Sequence, residues 1–203
     1  MSELKTKDLI RRTAFRLFLI NGYSAITLKD VEKIAQVSRK SRMYHYASKL
    51  ELFIDVISYF VLDKQGVANM IVNTDSSSLS NFINDYIENV QSKMKRLSDF
   101  LMPDDNVNVT CAYMQLLLQA HKYYPDFNII TSQIVQQKLL LWEKIVGQAQ
   151  TNGEINTQFN CKLVAKQFEY IALGQSFDGA FQLGLNIQEL REKLMFFYDL
   201  IKK

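Results

Sequence analysis

The chain is 203 residues long and 48% apolar, with only seven glycines and two prolines. So much apolar surface excludes wholesale disorder, and so few turn-forming residues disfavour an all-β fold, which needs many short strands. The net charge of +3 is unevenly divided: residues 1–49 hold eleven Lys and Arg against four Asp and Glu, and residues 50–203 hold thirteen against seventeen. A basic N-terminal part favours contact with a polyanion, although a solvated basic face has the same composition.

The two cysteines, Cys111 and Cys161, have no histidine or cysteine at metal-ligand spacing. We therefore expect two reduced thiols, and neither a metal nor another cofactor. The N-terminus lacks the pattern of a signal peptide, and the apolar runs are far shorter than the ~20 residues that a membrane span needs. These features predict a cytoplasmic protein without a membrane partner.

The first helix is predicted from an apolar stripe that runs from about Leu4 to Asn21. Gly22 follows it and is suited to end a helix in a left-handed conformation. A second helix is expected to begin after Thr27, whose hydroxyl is able to cap the first turn while Asp30 reaches back to the cap.

A short turn at Gln36-Val37 separates the second helix from a third, very short one that Ser38 caps. The fourth helix begins with a full Ser-x-x-Glu capping box, formed by Ser48 and Glu51, and we expect it to reach about Val72.

Beyond a polar loop at residues 73–78, apolar residues recur at helical spacing as far as the C-terminus. The last two helices are expected at about Cys161–Leu183 and Ile187–Ile201. No stretch alternates convincingly with a period of two, so the sequence predicts an all-α fold of about nine helices.

Two short helices joined by a few residues fit a helix-turn-helix, because the major groove of DNA admits one α-helix. We predict a bidentate guanine contact from Arg39 or Arg42, and a phosphate contact from Lys49, which is poorly placed for its own helix dipole. A solvated face is the alternative for these cations, but their place between two caps favours DNA. The residues predicted to contact DNA are Thr27, Lys29, Ser38, Arg39, Lys40, Ser41, Arg42, Tyr44, His45 and Lys49.

Residues 27–52, TLKDVEKIAQVSRKSRMYHYASKLEL, resemble the DNA-binding signature of the TetR family of bacterial transcriptional regulators. In that family a threonine caps the second helix, a Val-Ser pair opens the recognition helix, and an aromatic cluster precedes a Ser-Lys-x-x-Leu start. Phe18 and Gly22-Tyr23 resemble the family's ending of the first helix.

Three residues depart from the family pattern. Gln36 and Lys40 stand where glycine is common, and Glu32 replaces a small alanine at a helix-packing position. Because glutamine adopts positive φ less readily than glycine, Gln36 argues against a left-handed backbone in the turn.

The resemblance implies a homodimeric repressor. Its two DNA-binding domains lie in successive major grooves of a near-palindromic operator, and a small molecule releases the repressor from that DNA. It implies a three-helix, helix-turn-helix DNA-binding domain at residues 1–49 and a helical effector-binding and dimerisation domain at residues 50–203.

For an apolar or aromatic effector, the candidate lining residues are Phe60, Tyr86, Phe100, Met114, Leu117, His121, Trp142 and Phe177. For a dimer interface on the last two helices, the candidates are Val164, Phe168, Ile171, Ala172, Gln175, Leu190, Leu194, Phe197 and Ile201. An intramolecular core explains both sets almost as well.

The main alternative is a helical ligand-binding or protein-interaction module whose helix-turn-helix no longer binds DNA. No nucleophile–base pair, paired carboxylates or phosphate loop is discernible, so we do not expect an enzyme.

Overall fold

The computed structural model describes residues 3–63, 78–102 and 105–203, which form nine α-helices and no strand. The predicted all-α class is confirmed. The helices are α1 (Glu3–Ala25), α2 (Leu28–Ala35), α3 (Arg39–His45), α4 (Lys49–Val56), α5 (Leu79–Ser98), α6 (Val109–Tyr123), α7 (Phe127–Thr151), α8 (Cys161–Phe181) and α9 (Ile187–Ile201). A π-helical segment, Ile57–Leu62, continues α4. The predicted end of the fourth helix near Val72 lies outside the described residues, as do residues 73–77 of the polar loop.

Short polar side chains begin α2, α3 and α4, as the sequence predicts. Thr27 Oγ1 accepts a hydrogen bond from Asp30 N, and Thr27 N donates to Asp30 Oδ2 at 2.7 Å, so the predicted capping box is complete. Ser38 Oγ and Ser48 Oγ each accept from the backbone N–H three residues on, at 3.1 Å. Each bond satisfies an N–H that the first helical turn leaves without a partner.

Gly22 interrupts α1 with a φ of 78° and a ψ of 161°, but the helix resumes and ends at Ala25. The helical backbone is thus interrupted directly after Asn21, the predicted end, and one further turn extends to Ala25. The backbone N–H of Tyr23 donates to the side-chain oxygen of Gln119 on α6, and a Cβ at position 22 would lie 2.6 Å from the Gln119 amide nitrogen. The positive φ and the close approach of Gln119 both favour glycine at this point.

The chain divides into two compact units, residues 1–65 with 97–128 and residues 66–96 with 129–203. In the first unit α1 packs against α2, α3, α4 and α6. Its core includes Phe15, Phe18 and Phe53, of which the last two meet edge to face with ring centroids 5.3 Å apart. The functional boundary between residues 49 and 50 stays a prediction.

Trp142 on α7 is the largest fully buried side chain of the second unit. Phe168 of α8 stacks on it with ring centroids 4.9 Å apart, and Phe82 and Tyr86 of α5 meet its edge at 4.7 and 5.3 Å. This aromatic core joins α5, α7 and α8.

Candidate nucleic-acid interface

The turn between α2 and α3 is left-handed at Gln36, which has φ 52° and ψ 41°. Gln36 N donates to Lys33 O, and Val37 N donates to Glu32 O at 3.0 Å. These two bonds form a Schellman motif, which satisfies carbonyls at the end of α2. The expectation that glutamine prevents a left-handed turn is wrong, because the two hydrogen bonds hold Gln36 in a conformation that costs a non-glycine residue about 1 kcal/mol.

Six of the ten residues predicted to contact DNA are exposed. On α3 the exposed side chains include Arg39, Lys40 and Tyr44, and Tyr44 has 70% of its surface accessible. The Tyr44 ring meets His45 edge to face, with centroids 5.0 Å apart, while Ser41 and His45 are partly buried. The other three exposed members are Thr27, Lys29 and Ser38. α3 therefore presents two cations and a phenol to solvent.

Arg42 does not belong to this surface, since only 6% of it is exposed. Its guanidinium pairs with Glu32 of α2, with Nε and Nη2 each 2.8 Å from Oε1, and its Nη1 donates to Tyr46 O at 3.0 Å. With these donors engaged inside the fold, Arg42 is unable to make the predicted guanine contact. Arg42 instead fixes α3 against α2.

Glu32 has a structural role that the sequence reasoning missed. The signal was its presence at a helix-packing position where the family pattern has alanine, because a buried carboxylate needs a cationic partner. Arg42 is that partner.

Lys49 is also engaged within the protein. Its Nζ donates to Tyr23 O at 2.7 Å and to Ile26 O at 2.8 Å, and it lies 4.2 Å from the centroid of the Tyr23 ring. The carbonyls at the end of α1 thus compensate for the unfavourable place of Lys49 at the start of α4. A phosphate is not needed for that purpose, contrary to the prediction.

No protein-family model matches the chain. The HTH-type transcriptional regulator QacR of Staphylococcus aureus is 33% identical over 55 residues, which are 27% of this chain and 29% of that relative. The match thus spans less than a third of the relative's length.

Solved structures match over nearly the whole chain. A TetR-family transcriptional regulator from Agrobacterium tumefaciens has a TM-score of 0.68 at 15% identity and covers 100% of both chains. The regulatory protein TetR from Rhodobacter sphaeroides has a TM-score of 0.63 at 13% identity, over 96% of this chain and 97% of that one. A transcriptional regulator from Saccharomonospora viridis, solved in complex with choline, has a TM-score of 0.66 at 15% identity over 98% of both.

The chain has the TetR-family fold. The resemblance drawn from residues 27–52 is therefore confirmed at the level of fold.

The eight side chains predicted to line an effector site lie in both compact units and stay candidates. Phe60 and Phe100 meet edge to face in the first unit, with centroids 5.1 Å apart, and Tyr86 meets Trp142 in the second. Met114 and Leu117 are partly buried on α6, and His121 on the same helix is exposed. Phe177 on α8 is 55% exposed and contacts Phe181.

The predicted dimer residues lie on the inner side of α8 and α9. Seven of the nine are buried in the core of the second unit, and the other two, Ile171 and Phe197, pack against it. The buried seven are Val164, Phe168, Ala172, Gln175, Leu190, Leu194 and Ile201. These side chains are not available to a partner, so the prediction is corrected: they form an intramolecular core.

The opposite side of the same helices is apolar and exposed. We call it the C-terminal apolar face, and it consists of Leu163, Tyr170, Leu173, Phe177, Phe181, Phe196 and Leu200. On α8 its members follow one another at intervals of seven, three, four and four residues, so they lie on one side of the helix. Large exposed apolar patches mark association surfaces more often than free surface.

No helix among the described residues is long and apolar enough to cross a membrane. The same part of the chain contains no group of three or more His, Cys, Asp or Glu that could hold a metal ion.

Proposed function

We propose that the chain is a cytoplasmic, ligand-responsive transcriptional regulator, a repressor whose α3 enters the major groove of operator DNA. The observation that carries the proposal is the outer side of α3, where Arg39, Lys40 and Tyr44 are exposed. Guanidinium and ammonium groups on a groove-sized helix suit base edges and phosphates. The Arg42–Glu32 ion pair holds the inner side of α3 against α2, so the exposed side chains start from a fixed position.

The repressor acts as a homodimer through the C-terminal apolar face. Burial of side chains such as Leu173 and Phe177 against a second copy removes apolar surface from water, which is the main favourable term in association. A two-fold dimer places two α3 helices in successive major grooves, so the operator is near-palindromic with half-sites about one helical turn or slightly more apart.

A small organic molecule bound by the helices beyond residue 50 controls release. The effector prefers the conformation that does not bind DNA, and a preference of a few kcal/mol is enough to shift the population. The choline complex of a similarly folded regulator supports an organic effector for this fold. For this chain an apolar or aromatic effector is proposed, since the helices beyond residue 50 are rich in aromatic side chains.

The rival hypothesis is a helix-turn-helix that no longer binds DNA. The argument for it is that Gln36 and Lys40 stand where glycine is common in the family. Gln36 maintains the left-handed turn, and Lys40 adds an exposed cation to α3. Neither residue now favours the rival.

The proposal is tested by fluorescence anisotropy of the full-length protein on a random-sequence duplex, in about 50 to 200 mM salt. The affinity is expected to fall steeply with salt, because bound Lys and Arg release condensed counterions from the phosphates. The double variant Arg39→Ala/Lys40→Ala weakens binding and lowers the slope of log Kd against log salt by about 1 to 2.

The matched control is Lys95→Ala/Lys144→Ala, which removes two exposed cations from α5 and α7. It is expected to bind like the parent. A parent protein without salt-dependent binding, or an α3 variant that binds as the parent does, contradicts the proposal.

A further inference from the structure

Three charged side chains meet where α5, α7 and α8 pack in the second unit. Lys138 of α7 lies 3.6 Å from Glu169 of α8, measured from Nζ to Oε1, and 5.8 Å from the centroid of the Tyr86 ring on α5. Lys93 lies two turns beyond Tyr86 on α5, on the same side of that helix. The cluster thus adjoins the aromatic core around Trp142.

Positive charge dominates this cluster. Partial burial, together with the charges of Lys138 and Arg96, lowers the pKa of Lys93 to about 8. The carboxylate of Glu169 pairs with Lys138 and is therefore already engaged with one of these cations. A partly buried ammonium group that is repelled by its neighbours requires an anion for compensation.

Two polar atoms at the same place are buried without a hydrogen-bond partner. Among the described side chains, Trp142 Nε1 and Glu169 Oε1 are the ones with this property. Trp142 is fully buried and lies one turn from Lys138 on the same side of α7. A buried indole N–H normally finds an acceptor, so its lack of one points to a missing ligand atom.

We propose that this cluster binds a small organic acid, whose carboxylate accepts hydrogen bonds from Lys93 and Lys138 and whose apolar part lies toward Tyr86 and Trp142. The carboxylate supplies the missing negative charge, and its oxygens provide the acceptor that the indole N–H lacks. Aromatic and apolar surroundings favour an organic acid over inorganic phosphate. If the bound organic acid is the effector, the proposed apolar or aromatic effector is also acidic. Only this identification of the acid with the effector rests on the proposed function.

Trp142 is the chain's single tryptophan, so intrinsic fluorescence reports on this site directly. The experiment titrates the full-length protein, without DNA, with phenylacetate, phenylacetamide and 2-phenylethylammonium, which share an apolar part and differ in charge. Hexanoate and benzoate are further carboxylate probes, and inorganic phosphate is the plain anion. Phenylacetate is expected to bind about tenfold more tightly than the amide, with the ammonium probe weakest.

Lys93→Met is expected to abolish the preference for the carboxylate. Glu169→Gln is expected to strengthen it, because it removes the carboxylate that pairs with Lys138. Lys95→Met changes an exposed lysine on the same helix and should leave the preference intact. Lys93→Gln replaces Lys93→Met if the latter fails to fold.

The inference is overturned if no carboxylate probe causes a saturable change, if amide or phosphate binds as tightly as phenylacetate, or if Lys93 variants keep the preference. Binding of duplex DNA is measured separately on the same samples. A protein that binds DNA but no carboxylate overturns this inference alone, whereas one that binds carboxylates but no DNA overturns only the proposed function.

Discussion

Arg42 Nε lies 2.8 Å from Glu32 Oε1 across the turn of the helix-turn-helix, and both side chains are largely buried. The ion pair joins the helix that carries Thr27 to the helix that carries the exposed Arg39. Its geometry links the stability of the N-terminal unit to the position of the side chains that are proposed to contact DNA.

Removal of either partner leaves the other charge buried and unpaired. We expect Arg42→Ala or Glu32→Ala to lower the free energy of unfolding by about 3 kcal/mol. The double variant Glu32→Ala/Arg42→Leu should cost much less than the sum, because no uncompensated charge remains. Urea unfolding followed by circular dichroism measures all three values. Arg39→Ala is the control, and a loss as large as that of Arg42→Ala would contradict the assignment of Arg42 to the interior.

Gln36 occupies a left-handed conformation that glycine adopts without a steric penalty. Gln36→Gly is therefore expected to raise the free energy of unfolding by about 0.5 to 1 kcal/mol. Gln36→Ala keeps the Cβ atom and should give no such gain. Thermal and urea unfolding of both variants test this, and equal stabilities would mean that the turn is not left-handed in solution.

The C-terminal apolar face predicts the effect of charge on assembly. Leu173→Glu/Phe177→Glu should convert the proposed dimer to a folded monomer, since two carboxylates cannot be buried unpaired against a second copy. Sedimentation velocity over a range of concentrations measures the change. Leu118→Glu on α6 replaces an equally exposed leucine outside this face and should leave the dimer intact. A parent protein that is monomeric at every concentration would refute the dimer.

Lys93 gives the stability a defined pH dependence. Its pKa is lowered from 10.5 to about 8 on folding, so the folded state binds this proton less tightly than the unfolded chain does. The resulting penalty is full below pH 8 and disappears as the pH rises to 10.5. Lys93→Met should therefore stabilise the protein by about 2 kcal/mol at pH 7, and the gain should vanish between pH 8 and 10.5. Urea unfolding at pH 7 and 10.5 measures the gain in stability, with Lys95→Met as the control. If Lys93→Met stabilises the protein equally at both pH values, the lowered pKa of Lys93 is contradicted.

Much of the fold was predictable from the sequence, because its signals are local. A cap such as Thr27, Ser38 or Ser48 needs only the residues of the next helical turn, so the sequence places the starts of α2, α3 and α4 correctly. Gly22 likewise marks the interruption of α1 locally, whereas the contact of Gln119 with the backbone N–H of Tyr23 has no local signal.

The site was less predictable because it depends on which side of a helix faces inward. On α8 the inner residues Val164 and Phe168 and the outer residues Leu163 and Tyr170 are both apolar at helical spacing, so periodicity alone does not distinguish core from interface. An arginine on α3 has the same local sequence signal whether it faces DNA or the interior. Only the packing of Glu32 against it assigns Arg42 to the interior.

Selection from a pool of random duplexes by the full-length protein tests the central claim most directly. The account predicts enrichment of a two-fold symmetric site with half-sites about one helical turn or slightly more apart, and loss of this enrichment in Arg39→Ala/Lys40→Ala. A pool that stays random, or an enriched site that the double variant selects equally well, would contradict it.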